Sequence, residues 1–163
     1  MTPQQIQAAE AVSKLRVLKY KNDPQNDLIG ALGEVAVSAW AVVSGIHPVD
    51  DAFKDPSRDS GADLYLGSKN VSVDVKSSSA GDIYTYPEKQ ISTLKAKASA
   101  VIWCAVFPLT EGWDVVGYEV SIFGWSSAND VLKAPLISPD GRDPYRAVSS
   151  PVRDLPDLIA TAR

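Results

Sequence analysis

Apolar side chains recur along residues 3 to 20 at helical spacing, with Ile6, Ala9, Val12 and then Leu15 on one stripe. Lys19, Tyr20 and Lys21 close that segment in a basic tail before Asn22-Asp23-Pro24 interrupts it. Asp27 reads as the N-cap of a second helix over roughly 28 to 43. That helix is apolar nearly all round (Leu28, Ile29, Leu32, Val35, Val37, Trp40, Val42, Val43), the pattern of a buried helix. Gly30 and Gly33 are poor helix formers, so both are expected to permit close packing. A strand is expected near 46 to 50, then a polar loop from Asp51 to Gly61. Residues 62 to 66 and 71 to 77 alternate as two strands joined at Gly67-Ser68-Lys69-Asn70. A helix over 88 to 98, a buried strand from Ala100 to Phe107 and a strand over 113 to 120 follow. The remainder is rich in Pro, with a short helix expected after Pro156. This order predicts an α+β (α/β) chain with a central mixed sheet flanked by helices.

The hairpin carries the candidate chemistry. A turn centred on Ser68 and Lys69 sets Leu66 opposite Val71 and Asp63 opposite Asp74. One face then presents Leu64, Leu66, Val71, Val73 and Val75, and belongs against a core. The other presents Asp63, Tyr65, Ser72, Asp74 and Lys76. Opposed carboxylates repel one another, so a fold that keeps them needs a cation. Lys76 supplies one charge, and a divalent ion of the hard, oxygen-loving type, Mg²⁺ or Mn²⁺, would supply more. A solvated polar face with a coincident Asp pair is the plain alternative. Glu34 is the second anomaly, an acid inside the apolar helix. It lies either on a narrow exposed stripe with Ser38 and Ala41 or against the same metal site, and both readings stay open.

Composition alters this picture little. The 163 residues predict one domain with its core over about 27 to 107, an N-terminal helix at 3 to 20 and an extension from 121 to 163. The net charge of −4 argues against a nucleic-acid partner at first sight, but it is uneven. Residues 54 to 97 hold 7 basic and 6 acidic side chains, whereas residues 1 to 53 hold 4 and 6, and residues 98 to 163 hold 5 and 8. The stretch around the hairpin is the one part that is not acidic. No run of eighteen apolar residues predicts a membrane span, and MTPQQIQAAE lacks the pattern of a secretory signal, so the expected compartment is the cytoplasm. Cys104 reads as a core thiol, and one Cys with one His cannot make a usual zinc site. His47, Trp40, Trp103, Trp113 and Trp125 read as structural, and Tyr84 and Tyr86 as packing before bases to stack on.

Glu34, then Gly61-Ala62-Asp63-Leu64, then Asp74-Val75-Lys76 resembles the PD-(D/E)XK nuclease superfamily, the restriction-endonuclease-like fold. In that family a helix supplies a Glu and an antiparallel hairpin supplies an Asp and a (D/E)-x-K triplet; here Ala62 stands where the family name has Pro. Gly117-Tyr118-Glu119-Val120, Tyr145-Arg146-Ala147-Val148 and Asp154-Leu155 look loosely like the tail of small phage-encoded members, which implies a host cytoplasm. The resemblance implies phosphodiester hydrolysis, most readily of DNA. Asp63, Asp74 and the Val75 carbonyl would bind Mg²⁺ or Mn²⁺, and Glu34 would complete the set. Lys76 would hold or deprotonate a water, or donate to the phosphate. Asp59 is the runner-up for Asp63. Ser77, Ser78 and Ser79 would reach phosphate oxygens, and Lys89, Lys95 and Lys97 backbone charge. Other readings are a catalytically silent DNA- or protein-binding module on the same scaffold and a plain αβ domain. A homodimer, with the N-terminal helix as interface, is compatible with each.

Overall fold

A computed structural model of the chain describes residues 1–21, 23–49, 62–79, 84–149 and 152–162. Helix α1 spans Pro3–Tyr20. Thr2 caps it: its hydroxyl accepts from the Gln5 N–H at 3.3 Å, and the Gln5 side chain accepts from the Thr2 N–H at 2.8 Å. It ends at Lys21, which takes a left-handed φ of 56°. Ala9, Val12 and Ser13 face inward. Leu15 is 49% exposed, so the stripe does not continue through it as the spacing suggested; Arg16, one helical turn beyond Val12 and Ser13, takes the inward place.

Helix α2 runs Pro24–Val43, starting earlier than expected. Asp23, not Asp27, is its cap, and the Asp23 carboxylate accepts from the Gln25 and Asn26 N–H groups at 2.9 and 3.0 Å. Pro24 ends one helix but also begins the next, since at the first helical position its missing N–H costs nothing. Length and a mean hydropathy of 1.3 would let α2 cross a membrane, but here it packs on α1, β3 and β5 (ranges below). Its glycines differ. A Cβ on Gly33 would fall 1.8 Å from Ser77 Oγ and 3.1 Å from Ser77 Cβ, so close packing holds there. Nothing lies within 4 Å of a Cβ on Gly30, where the expectation fails. Gly30→Ala should therefore raise stability by about 0.5–1 kcal/mol in urea unfolding, and Gly33→Ala should lower it. Equal shifts for the two would contradict the packing described.

The main sheet has strand order β1-β2-β3-β5-β6, with β1 Pro48–Val49, β2 Leu64–Leu66, β3 Val71–Ser78, β5 Ala100–Glu111 and β6 Asp114–Ser127. The β3/β5 pair is parallel and the others antiparallel, which makes the sheet mixed, as expected. The hairpin register also matches expectation: Leu66 pairs Val71, Tyr65 pairs Ser72 and Leu64 pairs Val73. The turn closes with the Asn70 N–H donating to the Gly67 carbonyl at 3.2 Å, and Gly67 takes a φ of 68°. A side chain there would meet the carbonyl of Ala162, at the end of α5 (Leu155–Ala162), at 2.2 Å.

β5 crosses the middle of the molecule with both faces covered, which explains its unbroken apolar run. Ala100, Ile102 and Cys104 join Val73, Val75, Leu64 and Leu66 in a core closed by Val37 and Ala41 of α2 and Leu158 and Ala162 of α5. Burial pushes the Cys104 thiol up to about 12, as suits an inert core position. Val101 and Trp103 face the other way, toward Tyr86, Leu94 of α3 (Ile91–Lys97) and Val131 of α4 (Ala128–Lys133). Trp103 donates to the buried Ser126 hydroxyl at 3.0 Å.

Three elements depart from expectation. The segment 88 to 98 divides into a 3₁₀ turn, Glu88–Gln90, and α3. The strands expected to end at 107 and 120 run on as a long β5–β6 hairpin, because past Val106 the ribbon leaves the body and loses its apolar alternation. Pro108 is tolerated there because β3 pairing has already stopped at Ser78–Ala105. The Pro-rich remainder contributes a second small sheet of β4 Thr85–Pro87, β8 Tyr145–Ala147 and β7 Leu136–Ile137. Arg146 fastens it, donating to both Glu88 carboxylate oxygens at 2.7 and 3.0 Å and to the carbonyls of Leu132 and Ala134.

Candidate active site

Six ionisable side chains, Arg16, Glu34, Asp63, Asp74, Lys76 and Tyr86, meet beside the β2–β3 hairpin. The regular ladder stops at Leu64–Val73, one pair short of the expected Asp63–Asp74 pairing. Asp63 instead turns its carboxylate onto β3, where Oδ2 accepts the Val75 N–H at 2.6 Å. An extended residue points its N–H and C=O to the same side, so the Val75 carbonyl faces the Asp63 edge too. Asp74 is only 7% exposed. Its Oδ1 accepts from Lys76 Nζ at 3.0 Å; Oδ2 lies 2.9 Å from the same nitrogen but has no hydrogen-bond partner. The Lys76 ammonium rests over the Tyr86 ring, 4.9 Å from its centroid. Tyr86 is 2% exposed and near enough to the Asp74 carboxylate for that charge to act on its phenol.

Glu34 is not on an exposed stripe but lies beside the candidate site, held there by Arg16. It is 4% exposed, and both carboxylate oxygens are taken by Arg16 of α1, Nη1–Oε1 at 2.6 Å and Nη2–Oε2 at 2.7 Å. Glu34 is nevertheless close enough to be felt by Asp63 and Lys76. The sequence reading missed Arg16 and discounted Tyr86. A cation on the inward face of α1, with an acid on an otherwise apolar α2, is the signal that would have found the ion pair.

Burial pushes the Asp63 carboxyl well up, and the negative charges of Glu34 and Asp74 add to it; Lys76 and the Val75 N–H pull the other way and lose. Burial also works against the Lys76 ammonium, but Asp74, Asp63 and Glu34 outweigh it and its pKa is raised. Desolvation by burial, then Asp74 and Asp63, pushes the Tyr86 phenol up. Three carboxylates thus face two cations, Arg16 and Lys76. One negative charge is left over, to be relieved by a proton on Asp63 or by a bound cation.

A divalent ion fits part of the expected donor set. The orphaned Asp74 Oδ2, the Asp63 carboxylate and the Val75 carbonyl are the oxygens such an ion takes. Glu34 is already committed to Arg16, and among the described residues no three His, Cys, Asp or Glu side chains gather as a metal-binding group.

The outer residues are scattered. Ser77 alternates away from Lys76 and buries its hydroxyl, without a hydrogen-bond partner, against Gly33 of α2. Ser78 is partly buried, and Ser79, Lys95 and Lys97 are exposed. Lys89 pairs with Asp143 at 2.8 Å on the surface. Asp59, Gly61 and the polar loop of 51 to 61 lie outside the described residues. No family model matches this chain, and no curated protein or solved structure matches it.

Proposed function

We propose that the chain is a phosphodiesterase of the divalent-metal-dependent class. Within that class we read it as a nuclease of the PD-(D/E)XK kind acting on DNA with Mg²⁺ or Mn²⁺. The observation that carries the reading is the group of Asp63, Asp74 and Lys76, of which Asp74 is buried and the other two partly so, with two carboxylates to one ammonium and an Asp74 oxygen that accepts no hydrogen bond. A fold has no structural reason to bury such a group, since aliphatic side chains of the same volume would be more stable.

Asp63 and Asp74, with the Val75 carbonyl, would hold the ion. When bound, a divalent ion supplies an acidified water and neutralises charge on the phosphate. Asp74 and the Tyr86 ring hold the Lys76 ammonium in place. Lys76 then donates to a phosphate oxygen or orients the attacking water. Hydrolysis joins the water oxygen to phosphorus and breaks the bond from phosphorus to the leaving sugar oxygen, which takes up a proton. Arg16 holds the Glu34 carboxylate beside the group through two hydrogen bonds, shielded from water. Lys95 and Lys97 on α3 are candidate contacts to the phosphate backbone.

Cleavage of plasmid, single-stranded and branched DNA with Mg²⁺ or Mn²⁺ tests the reading. Asp74→Ala and Lys76→Ala should each lower the rate by about 10²–10³-fold or more. Unchanged cleavage in both variants would overturn it. Tight DNA binding by the wild type with no turnover in either metal would favour the silent-module reading.

A further inference from the structure

Beyond Val106 the β5–β6 hairpin stands free. β3 has ended, and Phe107 to Glu111 and Gly112 to Val116 are exposed. A two-stranded ribbon is marginal in water by itself. This one also carries Phe107, Leu109, Val115 and Val116 at about half exposure, and Trp113 at its tip with a relative exposure of 102%. Trp113 alone presents about 250 Å², a large part of the roughly 800 Å² that each partner gives to a stable dimer. This much apolar side chain exposed on one free ribbon marks an interaction site. The arm is also acidic. Glu111, Asp114 and Glu119 are exposed, and no Lys or Arg occurs between Lys97 and Lys133. That charge repels a phosphate backbone or an anionic bilayer.

The matching surface is on α1. Lys14 and Leu18 lie on the face turned away from Ala9, Val12 and Arg16, with Leu15 beside them and Lys21 just past the helix end, in its left-handed cap. All four are exposed, Leu18 at 80%. The face is therefore basic and apolar where the arm is acidic and apolar. Within one copy the two surfaces do not cover each other, since both stay exposed. The base of the arm meets the start of α1, where the Met1 amino group donates to the Tyr118 carbonyl at 3.0 Å. From there α1 runs about 27 Å to its basic end, whereas Phe107 to Glu111 spans about 17 Å of ribbon.

We propose that the chain forms a two-fold dimer in which the acidic arm of each copy lies on the Lys14–Leu18–Lys21 face of α1 in the other. The same contact is made twice, and the symmetry closes. The proposal does not rest on the nuclease reading, and its test involves no catalysis.

Sedimentation equilibrium of the whole chain provides that test. Wild type should be a dimer at micromolar concentration, with Trp113 shielded from a fluorescence quencher. The triple variant Glu111→Lys, Asp114→Lys, Glu119→Lys should dissociate at least about tenfold more readily, and so should Lys14→Glu, Lys21→Glu. Mixed in equal amounts, these two should recover a heterodimer, because one contact then sets a basic arm on an acidic helix and the other an acidic arm on a basic helix. Recovery also shows that neither variant is misfolded. A wild type monomeric up to about 0.1 mM would overturn the proposal. So would a mixture that fails to associate while both variants keep the wild-type circular dichroism. Loss of DNA binding on reversing α1, with no change in mass, would equally overturn it and assign that face to nucleic acid.

Discussion

Arg16→Met should lower the stability of the chain by about 3–5 kcal/mol, the loss expected when one member of a buried ion pair is removed. The Glu34 side chain is 5% exposed and that of Arg16 22%, so the bond between them is largely shielded from water. In the variant, Glu34 is left buried beside Asp63 without the guanidinium that occupies both its oxygens, which is unfavourable. Glu34→Gln leaves the guanidinium short of a charge and should cost less, because Arg16 reaches water. Arg16→Met with Glu34→Leu removes the charges together and should recover most of the loss, since a packed apolar pair often equals or exceeds a buried ion pair. Urea unfolding of the four proteins gives the coupling directly. A single-variant loss below about 1 kcal/mol would mean that Glu34 is solvated. The bond also joins α1 to α2 across 18 residues of sequence, so α1 should fray first in hydrogen exchange of the Met variant.

Asp63→Asn should make the protein more stable at neutral pH while lowering cleavage by about 10²–10³-fold. The fold holds the Asp63 carboxyl above its ordinary value of 3.8, so it binds a proton more tightly folded than unfolded. Ionising it therefore costs stability. The cost is absent below the unfolded pKa, grows as pH rises toward the folded one, and is constant beyond it. Asn keeps an oxygen for the Val75 N–H and carries no charge. Its thermal midpoint should exceed that of wild type at about pH 8, and the difference should vanish below about pH 4. Added Mn²⁺ should reverse the order, because binding to the folded wild type stabilises it by mass action. A midpoint at or below the wild-type value at pH 8 without metal would contradict the cause assigned to the raised Asp63 pKa. Such an exchange of stability for function is common where like charges are held together.

How far these features could be read in advance depended on their range. The β2–β3 register follows from a two-residue period and a Gly–Asn turn, both local, and it places Asp74 and Lys76 correctly on one face. Asp63 leaves the ladder because its side chain captures a backbone N–H twelve residues on, which no alternation pattern reports. Strands of two or three residues, such as Leu136–Ile137 and Thr85–Pro87, are too short to show a period, and their partners are far away in sequence. The apolar run of β5 revealed its buried part and concealed its exposed part, because Phe107 and Leu109 look like core residues until the neighbouring strand stops. Asp27 was a reasonable cap in isolation, but Asp23-Pro24 fits one turn earlier, with Pro at the position where it is tolerated.

The seating of α5 on the hairpin turn has a consequence for synthesis. Leu158 and Ala162 share a core with Leu64, Leu66 and Val73, and the Ala162 carbonyl lies where any side chain at Gly67 would have to go. When the ribosome has just added Lys76, roughly ninety residues remain before that core can close, a delay of about 4–18 s at ordinary elongation rates. Through that interval Asp63, Asp74 and Lys76 exist in the nascent chain without the support that fixes them. The group of Asp63, Asp74 and Lys76 reaches its final setting only once residues 155–162 have been added and folded back.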